Sequence, residues 1–161
     1  MKSFTSFAGM AAEFMTAAIA VDALNHELLE RSAKSIERRA KEKLGSYQDQ
    51  SGQFVAWAEL AESTKQDREQ QGYPENEPLL RSGELRDSIE HQVIGNVAHI
   101  GSNSDVAVYQ ELGTDKMPPR SFLGGAAHEK APEIVEMMGE NVTLHLSGQK
   151  VFQGRLPIER E

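Results

Sequence analysis

From about residue 5 to residue 44 nothing in the chain breaks a helix, and Gly45 stands where a left-handed C-terminal cap is usual. At 1.5 Å per residue such a helix is about 60 Å long, more than a small domain covers on its own. Its apolar positions fall at Phe7, Met10, Phe14, Ala17, Val21, Leu24 and Leu28, spaced alternately by three and four. They continue through Ala33, Ile36, Ala40 and Leu44 on a slightly rotated face. This seam either packs on the domain's own sheet or leaves its first half for another subunit, and the pattern alone keeps both open. The cations near its end sit where the helix dipole favours them and need no partner.

The rest of the chain is built from shorter pieces. Residues 45–56 are polar and irregular and read as a loop. Trp57, the single tryptophan, opens Trp57-Ala58-Glu59-Leu60, with Trp57 and Leu60 as core anchors, and a helix follows over 62–71, stopped by Gly72 and Pro74. Ser82 is placed as the N-cap of a short helix with Glu84 in its first turn and Leu85 facing inward. Residues 89–94 and 97–101 read as two strands joined by Gly95-Asn96, whose leading glycine suits a type II′ turn. In that register Ile89, His91, Val93, Ala98 and Ile100 share one face, and Glu90, Gln92, Ile94, Val97 and His99 share the other. Ser104 or Asp105 caps a helix over 106–112 closed by Gly113, and Lys116-Met117-Pro118-Pro119-Arg120 must be a turn. The last helix carries Ala127, Ala131, Ile134, Val135, Met138, Val142 and Leu146, with Pro132 as a kink or restart.

The expectation is an α+β fold. A long N-terminal helix and a C-terminal helix pack on a small antiparallel sheet with short connecting helices, and Leu85, Ile89, Val93, Ile100 and Phe122 belong to the core. Residues 1–148 form a single domain with the extended N-terminal helix in 1–44, and 149–161 form a flexible C-terminal tail.

Composition removes several functions. With no cysteine there is neither a disulfide framework nor a thiolate metal site. A net charge of −8 and a pI near 5.2 argue against nucleic-acid binding, which depends on neutralising phosphates. The charge is uneven: residues 30–43 carry a local +3 and residues 59–90 a local −5. Such patches steer copies together or are simply solvated faces. Glu13 and Asp22 leave only residues 14–21 as an uninterrupted apolar run, too short for a membrane span and poorly shaped for a signal peptide.

Bond-making chemistry finds little support. His26, His91, His99, His128 and His145 include no pair at a three- or four-residue helical spacing, so no metal site is expected. There is no Gly-x-Ser-x-Gly and no phosphate-cradling glycine loop with its lysine. No catalytic residue, cofactor or metal is expected.

The motifs Leu79-Leu80-Arg81-Ser82-Gly83-Glu84-Leu85-Arg86-Asp87-Ser88-Ile89, Ile100-Gly101-Ser102, Val106-Ala107-Val108-Tyr109-Gln110-Glu111-Leu112-Gly113-Thr114 and Met117-Pro118-Pro119-Arg120-Ser121-Phe122-Leu123 follow one another in the chain. In this order and spacing they resemble the tail-completion and head–tail joining (neck) proteins of tailed bacteriophages. Trp57-Ala58-Glu59-Leu60 with Thr64 fits the same pattern upstream, and the likeness covers roughly residues 57–134. The chain departs from the usual pattern at Pro119, Ser121 and Ala61.

The resemblance implies a structural virion protein, of a phage or prophage, that works as a ring of copies. Its partners would be head-connector and tail-terminator or tail-tube proteins, with no specific nucleic acid and no membrane. It would reside in the phage neck or tail, and in the host cytoplasm before assembly. The turn at Lys116, Met117, Pro118, Pro119 and Arg120 is the candidate interaction site: it is expected to be exposed, stiffened by two prolines, with Met117 adapting to irregular surfaces. Arg120 reaches acids near Glu75 and Glu77 of a neighbouring copy, or pairs within its own chain with Glu111. Two other classes stay open, a cytosolic adaptor or regulator acting through helix pairing, and a hydrolase using a histidine or serine.

Overall fold

The computed structural model describes residues 7–146. Among them the elements run α1 (Phe7–Lys43), α2 (Glu62–Gln70), α3 (Glu84–Asp87), β1 (Ile89–Ile94), β2 (Val97–Ser102), α4 (Asp105–Leu112) and α5 (Leu123–Leu146). The α+β class is as expected. The side-chain packing of the seam's first half and the tail 149–161 lie outside the described residues.

Helix α1 is the rod on which the rest is hung. It packs against β1, β2 and α5. Gly45 ends it with φ 96° and donates its N–H to Pro78 O at 2.8 Å, so the end of the rod is tied to the loop that begins the central stretch. Near that end Ala40, Leu44, Trp57, Ile89, Ala107, Phe122 and Ala126 form the main cluster, with Ile89 and Phe122 wholly buried. A second, smaller cluster joins Leu28 to Met137, with Leu24 against it.

The hairpin has the expected register, with His91 opposite Ile100 and Val93 opposite Ala98. Gly95 takes φ 58° and Asn96 takes no positive φ, as a type II′ turn requires. His91 is half-buried on the α1 face, and His99 is exposed on the other. Val93 and Ile100 are only half-buried, so of the five expected core residues Ile89 and Phe122 form the centre and Leu85 packs at its margin. A two-stranded sheet covered by one helix cannot enclose its outer residues.

Three local expectations are corrected. Gly83, at φ 90°, occupies the cap of α3, and Ser82 Oγ merely accepts the Glu84 N–H at 3.4 Å. On α5 Gly125, Ala126, Met137 and Asn141 are buried; of the expected stripe Ala127, Ile134 and Met138 are half-buried, Ala131 and Val135 are exposed, and the side chains of Val142 and Leu146 lie outside the described residues. The shift arises because α5 faces polar partners. Glu129 accepts from Arg39 Nε at 2.7 Å and from Lys43 Nζ, whose side chain is buried. Burial alone would raise the Glu129 carboxyl, but the hydrogen bonds from Lys43 and Arg39 outweigh it and hold the group below its ordinary range. The third correction concerns Arg120. Helix α5 meanwhile runs through Pro132 without interruption.

Candidate interaction site

The turn after α4 is held from three sides. Gly113 takes φ 75°, and a Cβ there would stand 2.8 Å from Met117 O and from Pro119 N, so the chain doubles back against its own backbone. Thr114 and Met117 close the loop by exchanging backbone hydrogen bonds of 2.8 and 3.1 Å. The Arg120 N–H returns to Gln110 O at 2.7 Å, and Ser121 Oγ donates to Glu111 O at 2.9 Å.

Glu111 links the turn to α5. Its Oε2 accepts the N–H groups of Phe122 and Leu123 at 2.8 and 2.9 Å, and its Oε1 accepts Gly124 N–H at 2.8 Å. Three donors that the first turn of α5 cannot use internally are satisfied by one carboxylate, which also meets the positive end of the helix dipole. Gly124 admits this approach, since a Cβ there would lie 3.0 Å from Glu111 Oε1 and 2.7 Å from the Phe54 ring. Sequence reading missed this role because Glu111 and α5 are separated by the turn, with no helical spacing to betray the contact.

Arg120 does not project. It is 5% exposed, and its guanidinium donates to Ala58 O from Nε (3.2 Å) and Nη2 (2.9 Å), and to Glu59 O from Nη2 (3.2 Å). Glu111, the partner expected within the chain, is not bonded to it. The planar fork suits two adjacent carbonyls of an extended segment and pins residues 58–59 to the turn. Lys116 and Pro118 are exposed as expected, while Met117 and Pro119 are half-buried.

A second arginine repeats the device. Arg68 of α2 is 5% exposed and donates from Nη1 to Pro74 O, Glu77 O and Leu80 O at 3.2, 2.7 and 3.2 Å. Burial pulls both guanidinium groups below their ordinary pKa, with the nearby Arg81 charge adding to the effect at Arg68. Arg68 also braces Leu79, the single described non-glycine residue with a left-handed φ (63°), a strain of about 1–2 kcal/mol. Helix α2 begins at Ala61, which supplies no side-chain cap.

Between the two arginines lies a cleft of about 630 Å³ lined by Leu60, Arg81, Ser82, Val106, Gln110 and Met117, among others. Residues of the 57–64, 79–89, 106–114 and 117–123 stretches therefore meet at one place, while residues 100–102 do not line it. Gln110 Oε1 is a buried acceptor without a partner in the structure. Beside the cleft, α4 turns Ala107 inward and leaves Val106, Val108, Tyr109 and Leu112 exposed, Leu112 by 74%. Leu112 is continuous with the turn through a shallow hollow that also touches Thr114, Lys116 and Pro118. Among the described residues no group of three His, Asp or Glu could hold a metal ion, and no helix is long and apolar enough to cross a membrane.

Compared with protein-family models, curated proteins and solved structures, the chain shows no match.

Proposed function

We propose that this chain is a structural virion protein of a tailed bacteriophage or prophage, acting in tail completion or head–tail connection as one copy of an oligomeric ring. The reading starts from the resemblance of residues 57–134. What supports it in three dimensions is the convergence of most of those motifs, all but residues 100–102, on one cleft and one turn, edged by a row of exposed apolar residues on α4. Four large apolar side chains at least half exposed on an eight-residue helix are costly to leave in water and suit a protein partner.

The contact surface in this reading is Val108, Tyr109 and Leu112 together with Lys116, Met117, Pro118 and Pro119. Arg120 contributes from behind: it fixes the shape of the surface without touching the partner. A turn with two prolines and paired backbone ends loses little further entropy on docking.

The test is genetic. Deleting the reading frame from the phage or prophage that carries it should leave full heads and tails that do not join, with complementation restoring infectious particles. Normal particle yield after deletion would refute the reading, and recovery of the chain with host proteins instead of tails would favour the adaptor.

A further inference from the structure

The β1–β2 hairpin is a two-stranded sheet, so each strand has one open edge. A two-residue turn makes Ile94 and Val97 a hydrogen-bonded pair, and alternation then leaves the backbone groups of His91 and Val93 pointing away from β2. No other part of the described chain pairs with them. Strand β1 carries no lysine, no proline and no bulge, the usual protections of an open edge.

That edge borders a groove of about 490 Å³ between β1 and α1, lined by Lys34, Arg38, Lys41, Arg86 and His91 with Glu37 and Glu42. Four lysine and arginine cations line it with two carboxylates, with Glu30 on His91 and Asp87 on Arg86 at its margin, so among the described residues the positive charge left uncompensated is that of Lys34. Lys41 pairs with Glu37, Arg38 with Glu42, and Arg86 with Asp87, whereas Lys34 is exposed and makes no ion pair with a described residue. His91 is fixed here by Glu37 and by Glu30, the latter at 3.2 Å, so β1 is clamped on α1 and its edge is rigid.

We infer that the β1 edge and this groove together form a docking site for an extended acidic segment of a partner protein. The segment adds as a third strand beside β1, with carboxylates at alternate positions facing Lys34, Arg38 and Lys41. Main-chain pairing to His91 and Val93 supplies the direction, and the cations supply the selectivity. The site is separate from the α4 surface, and it stands or falls independently of the virion reading.

The experiment titrates the isotope-labelled full chain with a blocked seven-residue peptide alternating glutamate and valine. The same peptide with lysine for glutamate, and one N-methylated at alternate amides, serve as controls. The acidic peptide should slow amide exchange at His91 and Val93 and bind more weakly as salt rises, while both controls fail. Lys34→Glu, at an exposed cation without an ion pair to a described residue, should weaken binding by about threefold or more while leaving the melting temperature nearly unchanged. The inference is overturned if millimolar acidic peptide protects neither amide, if the lysine peptide binds equally well, or if protection falls on β2 instead.

Discussion

At the scale of single residues two arginines, Arg68 and Arg120, lie inside the fold. Arg120 closes on two carbonyls of the 58–59 segment, and its loss removes three charge-assisted bonds from a buried site. Because Ala58 and Glu59 are themselves exposed, water recovers part of the loss, and Arg120→Ala should cost about 2 kcal/mol by urea unfolding. Lysine should not rescue it, since one ammonium cannot span both carbonyls in the plane of the fork. Glu111→Ala should lower stability by about 1–2 kcal/mol by freeing three N–H groups of α5, and Glu111→Gln by less, because the amide keeps an acceptor and loses only the charge. Neither role was visible in the sequence: both depend on partners in other parts of the chain, and all of those partners are backbone groups.

At the scale of elements the sequence was legible wherever periodicity and turn chemistry act locally. The span of α1, its stop at Gly45, the hairpin register around Gly95-Asn96 and the opposite faces of His91 and His99 all follow from spacing. The seam of α5 did so only in part, because its contact with α1 includes Gly125, Ala126 and Glu129, small or polar residues that an apolar count passes over, beside the Leu28–Met137 contact. The hairpin's burial was overestimated for the opposite reason: alternation identifies a face but not how much of it one helix covers. Ile89→Ala should therefore cost about 3–4 kcal/mol and Ile100→Ala about 1–2 kcal/mol in thermal unfolding, a ranking that equal burial would not give. The polar contact of α1 with α5 also has a pH signature. The Glu129 carboxyl is held below the ordinary carboxylate range in the folded chain, so its contribution is complete above the ordinary carboxylate pKa and is lost as pH falls through the folded pKa. Acid unfolding curves should become shallower below that pH in Glu129→Gln. The Glu37 carboxyl, which burial would raise but which Lys41 and His91 hold low, adds in the same direction.

For the whole molecule, the order of the motifs along the chain was readable, but the meeting of most of them at one cleft was not, because it is produced by Arg68 and Arg120 drawing three loops together. The proposed interaction site moves accordingly, from a projecting Arg120 to the exposed side of α4 and the proline turn beside it. The most direct measurement is electron microscopy of particles assembled with Leu112→Glu in place of the wild-type chain, paired with the melting curve of the purified variant. Leu112 is 74% exposed, so the variant should melt within about 2 °C of the wild type, while heads and tails accumulate unjoined. Joined, infectious particles at the wild-type level from a variant that folds normally would contradict the account.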